Sequence, residues 1–141
     1  MVEGKRVAVV VPAFQEEFLV ADTIRGIPDF VDLIVVVDDH SADATVENAR
    51  ATGDPRLEVI EHAENQGVGG AIATGYARCR EFGIDVTCVM AADNQMDPAE
   101  LATLVAQDWT AGCIALATDA DIEAVAAWVR RQEVRNVRLV P

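Results

Sequence analysis

Lysine is nearly missing from this chain: Lys5 is the only one among 11 basic residues, set against 24 acidic residues and a formal net charge of -13. So acidic a surface repels a phosphate backbone, which argues against nucleic acid as a partner and calls for a cation instead. The same imbalance fits a salt-rich cytoplasm and a GC-rich genome equally well. Long apolar runs are missing too. The longest, Val7 to Phe14, is far short of the ~20 residues that cross a bilayer, so the sequence offers no transmembrane segment. Lys5 and Arg6 precede that run, but it leads into Pro-Ala-Phe-Gln-Glu-Glu without a small-residue cleavage pattern. It therefore reads as a first strand and not as a signal peptide. Cysteine is scarce and odd in number. Cys79, Cys88 and Cys113 lie in apolar or helical stretches without the close pairing of metal or redox sites, as reduced packing residues of a cytoplasmic protein do.

What is present suffices for one domain over residues 1–141, large enough to bury a core without disulfide or metal staples. Strand-length apolar runs alternate with helical-period stretches, the pattern of an α/β sandwich with a mainly parallel sheet. Val7 to Val11 is continuous and β-branched, as a strand buried on both faces should be, and Pro12 is expected to end it by removing a ladder donor. A helix is expected over about Glu17 to Gly26. A second strand, Leu33 to Val37, stops at Asp38-Asp39-His40-Ser41, after which Asp43 can cap a helix to about Arg50. Asp54-Pro55 marks a turn, Leu57 to Ile60 a short strand, and Asn65-Gln66-Gly67-Val68-Gly69-Gly70 a loop with three glycines before a helix from about Ala71 to Phe82. Gly83 suits the end of that helix. Val86 to Met90 is a fourth strand, and Pro98 fits the first turn of a helix to about Asp108. Beyond it, Cys113 to Ala117 reads as a strand, Ala120 to Gln132 as a helix and Val137 to Val140 as a last strand.

In open α/β sheets ligands bind at the carboxyl ends of the strands, and those ends here carry Pro12-Ala13-Phe14, Asp38-Asp39 and Asp93. Two acidic strand ends would repel each other unless a divalent metal or a donor-rich ligand separated them, which points to a metal-bound nucleotide. Taken alone, Asp38-Asp39-His40-Ser41 is equally a turn with a helix cap. The glycines are spaced G-x-G-G after the third strand, which does not match a dinucleotide fingerprint. They suit either close approach of backbone to a ligand or tight helix packing. His40 sits inside the acidic turn, while His62 beside Glu61 reads as a solvated strand end, and neither shows the partners of a catalytic histidine. Asp119-Ala120-Asp121 has the Asp-x-Asp pattern, but a helix start explains it.

Four motifs fall in order along residues 6–107: Val9-Val10-Val11-Pro12-Ala13-Phe14-Gln15-Glu16-Glu17, Val35-Val36-Val37-Asp38-Asp39-His40-Ser41, Asn65-Gln66-Gly67-Val68-Gly69-Gly70-Ala71 and Val89-Met90-Ala91-Ala92-Asp93-Asn94-Gln95-Met96-Asp97-Pro98. Together they resemble the family 2 glycosyltransferases, nearest to members like dolichol-phosphate mannose synthase that act on polyprenyl-linked acceptors. The resemblance implies a GT-A fold, a three-layer, Rossmann-like α/β sandwich in which 6–107 is the nucleotide-sugar-binding half. It implies that Pro12, Ala13, Phe14 and Glu16 border the base, that Asp39 bonds the base or ribose, that Gly67 lets the backbone approach the donor, and that Asp93 with Gln95 holds Mg or Mn on the diphosphate. The reaction implied is inverting transfer of a sugar from a UDP- or GDP-linked donor to a polyprenyl or dolichyl phosphate or a glycan. It also implies a place in the cytoplasm or at the cytoplasmic face of a membrane, and it is compatible with a homo-oligomer.

The metal motif departs from the family pattern, since Ala91-Ala92-Asp93 leaves one aspartate where two are usual. A cation held by one carboxylate, an amide, waters and substrate phosphates remains chemically reasonable, because magnesium keeps few protein ligands. Asp97, before Pro98, reads as a helix start. Residues 108–141 match nothing recognisable in the family, so no residue is named as base or acceptor ligand. A non-catalytic nucleotide-binding or regulatory module of the same fold is the alternative. A sugar nucleotidyltransferase would want a glycine-rich, basic loop where Glu16-Glu17 stands.

Overall fold

The computed structural model describes residues 4–94, Leu101 and residues 113–114. The elements run β1 (Val7–Ala13), α1 (Val20–Arg25), β2 (Leu33–Asp38), α2 (Thr45–Ala51), β3 (Leu57–Glu61), α3 (Gly67–Glu81), β4 (Val86–Val89) and β5 (Cys113–Ile114). They form one sheet of order β3-β2-β1-β4-β5, in which β1 to β4 are parallel and β5 pairs antiparallel with β4. The central strands are buried on both faces, as their unbroken Val/Ile runs require. Alternation then sorts each strand between two cores. Val7, Val9, Val11, Ile34 and Val36 pack with Val20, Ile24 and Ala49 of α1 and α2. Ala8, Val10, Val35 and Val37 pack with Ala71, Ile72, Tyr76 and Cys79 of α3. The result is a three-layer α/β sandwich.

Four local expectations are corrected. Pro12 does not end β1, which continues to Ala13 with Pro12 opposite Val37. The reason lies in the ladder: Val10 and Arg6 turn their carbonyls toward β4, whereas Ala13 and Val7 turn theirs toward β2. Pro12 shares the parity of Val10, and β4 pairing already stops at Val10, so its missing N–H deprives no partner. The glycine stretch after β3 is not a loop, because α3 begins at Gly67 and takes in Gly69 and Gly70. Helix α1 begins at Val20 and not at Glu17. The Glu17 carboxylate instead accepts the N–H of Ala44, and its carbonyl accepts the Asn48 amide. Asp43 is not the cap expected for α2: the N-cap position is Ala44, and the Asp43 carboxylate, one residue earlier, accepts the Thr45 N–H at 3.1 Å.

Other expectations match. Gly83 (φ +67°) closes α3, with the Ile84 N–H reaching back to the Cys79 carbonyl, the bond pattern of a glycine-terminated helix. Among the described residues no helix is long and apolar enough to cross a membrane. Gln95, Asp97, Pro98, Asp119, Asp121 and the expected helices and last strand beyond Asp93 lie outside the described residues, apart from Leu101, which is helical and joins the core, and β5.

Candidate nucleotide site

Parallel strands bring their C-terminal ends to one edge, and β1, β2 and β4 all release their chains there. Just past each of these three ends stands a non-glycine residue in the left-handed region: Gln15 (φ 52°), His40 (φ 68°) and Asn94 (φ 54°). Each such residue costs about 1 kcal/mol against ordinary backbone, less for Asn, and strain of this kind gathers where loops are shaped for a ligand. Cross-bonds keep the shape. The Gln15 N–H donates to Ser41 Oγ at 2.8 Å and the Glu16 N–H to Thr45 Oγ1 at 3.0 Å, tying the loop after β1 to the loop after β2. The Ser41 N–H in turn donates to Asp38 Oδ2 at 3.0 Å.

Between these loops and the first turn of α3 lies a cleft of about 370 Å³, lined by Pro12, Ala13, Phe14, Asp39, Asn65, Gly67, Val68 and Ala71. Five of the six residues singled out for a donor nucleotide, Pro12, Ala13, Phe14, Asp39 and Gly67, thus meet on one cavity. Phe14 is 48% exposed, an aromatic face left open beside the cleft. Gly67 has φ +81°, and a Cβ built there would meet no heavy atom within 4 Å, so glycine is required by the backbone turn and not by crowding. Tight helix packing falls instead at Gly75, where a Cβ would sit 2.3 Å from Val10 Cγ1. Glu16 does not line the cleft; it sits nearer the acidic edge.

Asp39 is the best-anchored polar group of the cleft. The residue is 4% exposed, and its Oδ1 accepts the Gln66 N–H at 2.8 Å and pairs with His62 Nδ1 at 2.9 Å. Its backbone is held as well, N–H to the Ala13 carbonyl at 2.9 Å and carbonyl to the Asn65 amide at 3.1 Å. The structure overturns the reading of His62 as a solvated residue. It is 8% exposed, and its Nε2 meets Thr74 Oγ1 of α3 at 2.8 Å. Register explains the placement: Asp38 pairs with Glu61 across β2 and β3, so the next residues, Asp39 and His62, leave the sheet side by side. No local pattern in the sequence signals that pairing. Asn65, Val68 and Ala71 stood within a quoted motif without being singled out, and Ala71 reaches the cleft at helical spacing from both Gly67 and Val68.

Toward β4 the edge is acidic. Burial pushes the Glu16 carboxyl above its ordinary value, and the neighbouring charges of Asp93 and Asp43 push it further. Among the described residues no three His, Cys, Asp or Glu side chains stand close enough to enclose a metal by themselves. Asp93 stands at this edge, where its charge reaches Glu16. Among the described residues, buried Asp38 Oδ1 has no hydrogen-bond partner.

The model of the family described as Glycosyl transferase family 2 matches residues 8–138. This chain belongs to glycosyltransferase family 2. Its parallel sheet and flanking helices are those of the GT-A glycosyltransferase structures. Among relatives of this glycosyltransferase domain, the UDP-N-acetylglucosamine–dolichyl-phosphate N-acetylglucosaminyltransferase of Methanococcus voltae is 28% identical over 116 residues, covering 72% of this chain and 46% of that protein. The undecaprenyl-phosphate mannosyltransferase of Micrococcus luteus is 33% identical over 104 residues, covering 71% of this chain and 43% of that protein. Glucosyl-3-phosphoglycerate synthase of Mycobacterium tuberculosis, solved with Mn2+, UDP and phosphoglyceric acid, superposes with a TM-score of 0.61 at 26% identity, over 72% of this chain and 38% of that one. The same enzyme has been solved with Mg2+ and UDP. The chain spans less than half the length of each of these proteins.

Proposed function

We propose that the cleft binds the nucleoside diphosphate of a UDP- or GDP-linked sugar together with Mg or Mn, and that the whole protein transfers the sugar to a polyprenyl or dolichyl phosphate. The observation that carries this reading is the convergence of Pro12, Ala13, Phe14, Asp39 and Gly67 on one cavity at the carboxyl edge of the sheet. The apolar Pro12-Ala13-Phe14 wall and the exposed Phe14 ring suit a flat base, and Asp39 offers a fixed acceptor for an imide or hydroxyl proton. At Gly67, where no side chain stands and no heavy atom lies within 4 Å of a built Cβ, a ligand has room to approach backbone. Asp93, with Gln95, is assigned to the cation, and Glu16 to the border between base and cation. The cation's contribution is to neutralise the charge of the departing diphosphate.

Support for the polyprenyl acceptor comes from the dolichyl- and undecaprenyl-phosphate relatives, and support for UDP with a divalent cation from the glucosyl-3-phosphoglycerate synthase complexes. Calorimetric titration of UDP and GDP, with and without manganese, tests the reading on the wild type and on Asp39→Asn and Asp93→Asn. Binding that requires manganese, weakens about tenfold or more in Asp39→Asn and loses its metal dependence in Asp93→Asn is expected, since a hydrogen bond to a charged group contributes ~1.5–3 kcal/mol. Absence of binding to either nucleotide overturns it. Tight binding without turnover on any acceptor would mark the alternative, a nucleotide-binding module that does not complete transfer.

A further inference from the structure

We propose that His62 is a positioning residue for the nucleotide: through one hydrogen bond it holds Asp39 in the orientation that receives the base, and Thr74 holds His62. The inference rests on the assignment of Asp39 to the nucleotide and extends it to two residues that do not line the cleft.

The argument starts from hydrogen-bond capacity. A carboxylate oxygen only accepts, so the proton between Asp39 Oδ1 and His62 Nδ1, 2.9 Å apart, sits on the imidazole. The far nitrogen, Nε2, then meets the Thr74 hydroxyl at 2.8 Å, a group that donates to a neutral ring. Both ends of the ring are therefore occupied, and its plane cannot turn without breaking one bond. Oδ1 also takes the Gln66 N–H at 2.8 Å. Two donors from the two ends of the β3–α3 connection, a side chain and a backbone N–H, converge on one oxygen, which stops rotation of the carboxylate and leaves Oδ2 as the oxygen for a ligand. Without His62 only Gln66 would hold the group, and a single bond fixes a position but not a plane.

Placement supports a role in the cleft. The side chains of His62 and Asp39 are 6% and 5% exposed, so the pair is shielded and each bond is stronger than in water. The chain Asp39–His62–Thr74 spans the ends of β2 and β3 and the middle of α3, the helix whose first turn supplies Gly67, Val68 and Ala71 to the cleft. A shift of α3 is thereby transmitted to Asp39, and a base seated against Asp39 bears on α3.

The two ring nitrogens can be tested apart. In His62→Asn the amide N–H falls near the place of Nδ1 and keeps the bond to Asp39; in His62→Gln it falls near Nε2 and keeps only the bond to Thr74. Both remove the same ring packing, so both are expected to melt at similarly lowered temperatures. Calorimetric titration of UDP with manganese on the full chain is expected to show His62→Asn within about twofold of wild type, and His62→Gln weaker by about fivefold or more. Asp39→Asn/His62→Gln is expected to bind no worse than Asp39→Asn alone, because the histidine acts only through the aspartate. Thr74→Val is a second route should His62→Gln not fold: it is expected to weaken UDP binding about threefold, with Thr74→Ser restoring it. Equal losses in His62→Asn and His62→Gln, following melting temperature, would overturn the proposal. So would wild-type affinity in His62→Gln while Asp39→Asn is weakened, and in that case the assignment of Asp39 survives. Wild-type affinity in Asp39→Asn would remove the assignment of Asp39 and the proposal with it.

Discussion

Alanine at Gly75 places a methyl where none fits, and the size of the effect can be worked from the geometry. The added Cβ would lie 2.3 Å from Val10 Cγ1 and 2.9 Å from Val10 Cγ2. Val10 is fully buried and sits mid-sheet, paired with Val35 on one side through β2 and with Val89 on the other through β4. It has nowhere to retreat, so the helix must lift or the valine must leave its rotamer. Overpacking of this kind costs ~1–3 kcal/mol. Alanine returns about 1 kcal/mol through its higher helix propensity. A contact as short as 2.3 Å belongs at the upper end of that range, so the net expectation is a loss of ~2 kcal/mol, or roughly 6–8 °C in Tm for a domain of this size. Urea denaturation followed by circular dichroism should show a lower midpoint at unchanged slope. The pair Gly75→Ala and Val10→Ala should also be non-additive, since the small residue at position 10 removes the clash, with a coupling of about 1 kcal/mol. Because α3 carries Gly67, Val68 and Ala71, lifting the helix should weaken UDP binding in Gly75→Ala. A variant as stable as wild type, or a strictly additive double mutant, would refute the packing argument.

Gly67→Ala tests backbone instead of packing: with φ +81° and open space around the site, it should lose about 1 kcal/mol from strain alone and bind UDP more weakly, and wild-type melting and affinity together would contradict this. The Arg56 side chain donates to both oxygens of Asp54 and to the carbonyls of Ile27, Pro28 and Val31, and it holds the Asp54 carboxyl below its ordinary 3.8. The folded state thus releases this proton more readily than the unfolded state. Its stabilisation is complete above 3.8 and is lost as pH falls through the lower folded value. Asp54→Asn should melt earlier than wild type at neutral pH, with the gap closing in acid; a gap that does not change with pH would contradict the pairing. Burial pushes the Cys79 thiol up to about 12, and Cys88 is buried beside the same sheet. In a Cys113→Ser background neither thiol should react with a disulfide reagent until the protein unfolds.

Strand identity, strand order along the chain and the parallel sheet were readable from the sequence because they follow from local composition. Continuous Val and Ile runs can only be doubly buried strands, and the helical stretches between them force crossovers. Pro12-Ala13-Phe14 and Asp39 were readable because strand ends in such sheets converge whatever the side chains are, and Gly67 because a glycine motif stands where backbone must turn. The end of β1 was misjudged because a proline's missing donor matters only where a neighbour needs it, and β4 is too short to reach Pro12. The glycines of α3 looked like a loop because glycine disfavours helix interiors. Docking of α3 on β1 and β2, with Gly75 against Val10, overrides that preference. His62 looked solvated because its sequence neighbour is the charged Glu61 at a strand end. Its burial depends on the register of β3 against β2 and on Thr74 arriving from α3, contacts between residues 23 and 12 positions apart that no local pattern encodes. Composition and periodicity determined what the layers are and which edge gathers the candidate residues, whereas the orientation of Asp39 was decided only when the ends of β2 and β3 and helix α3 met around it.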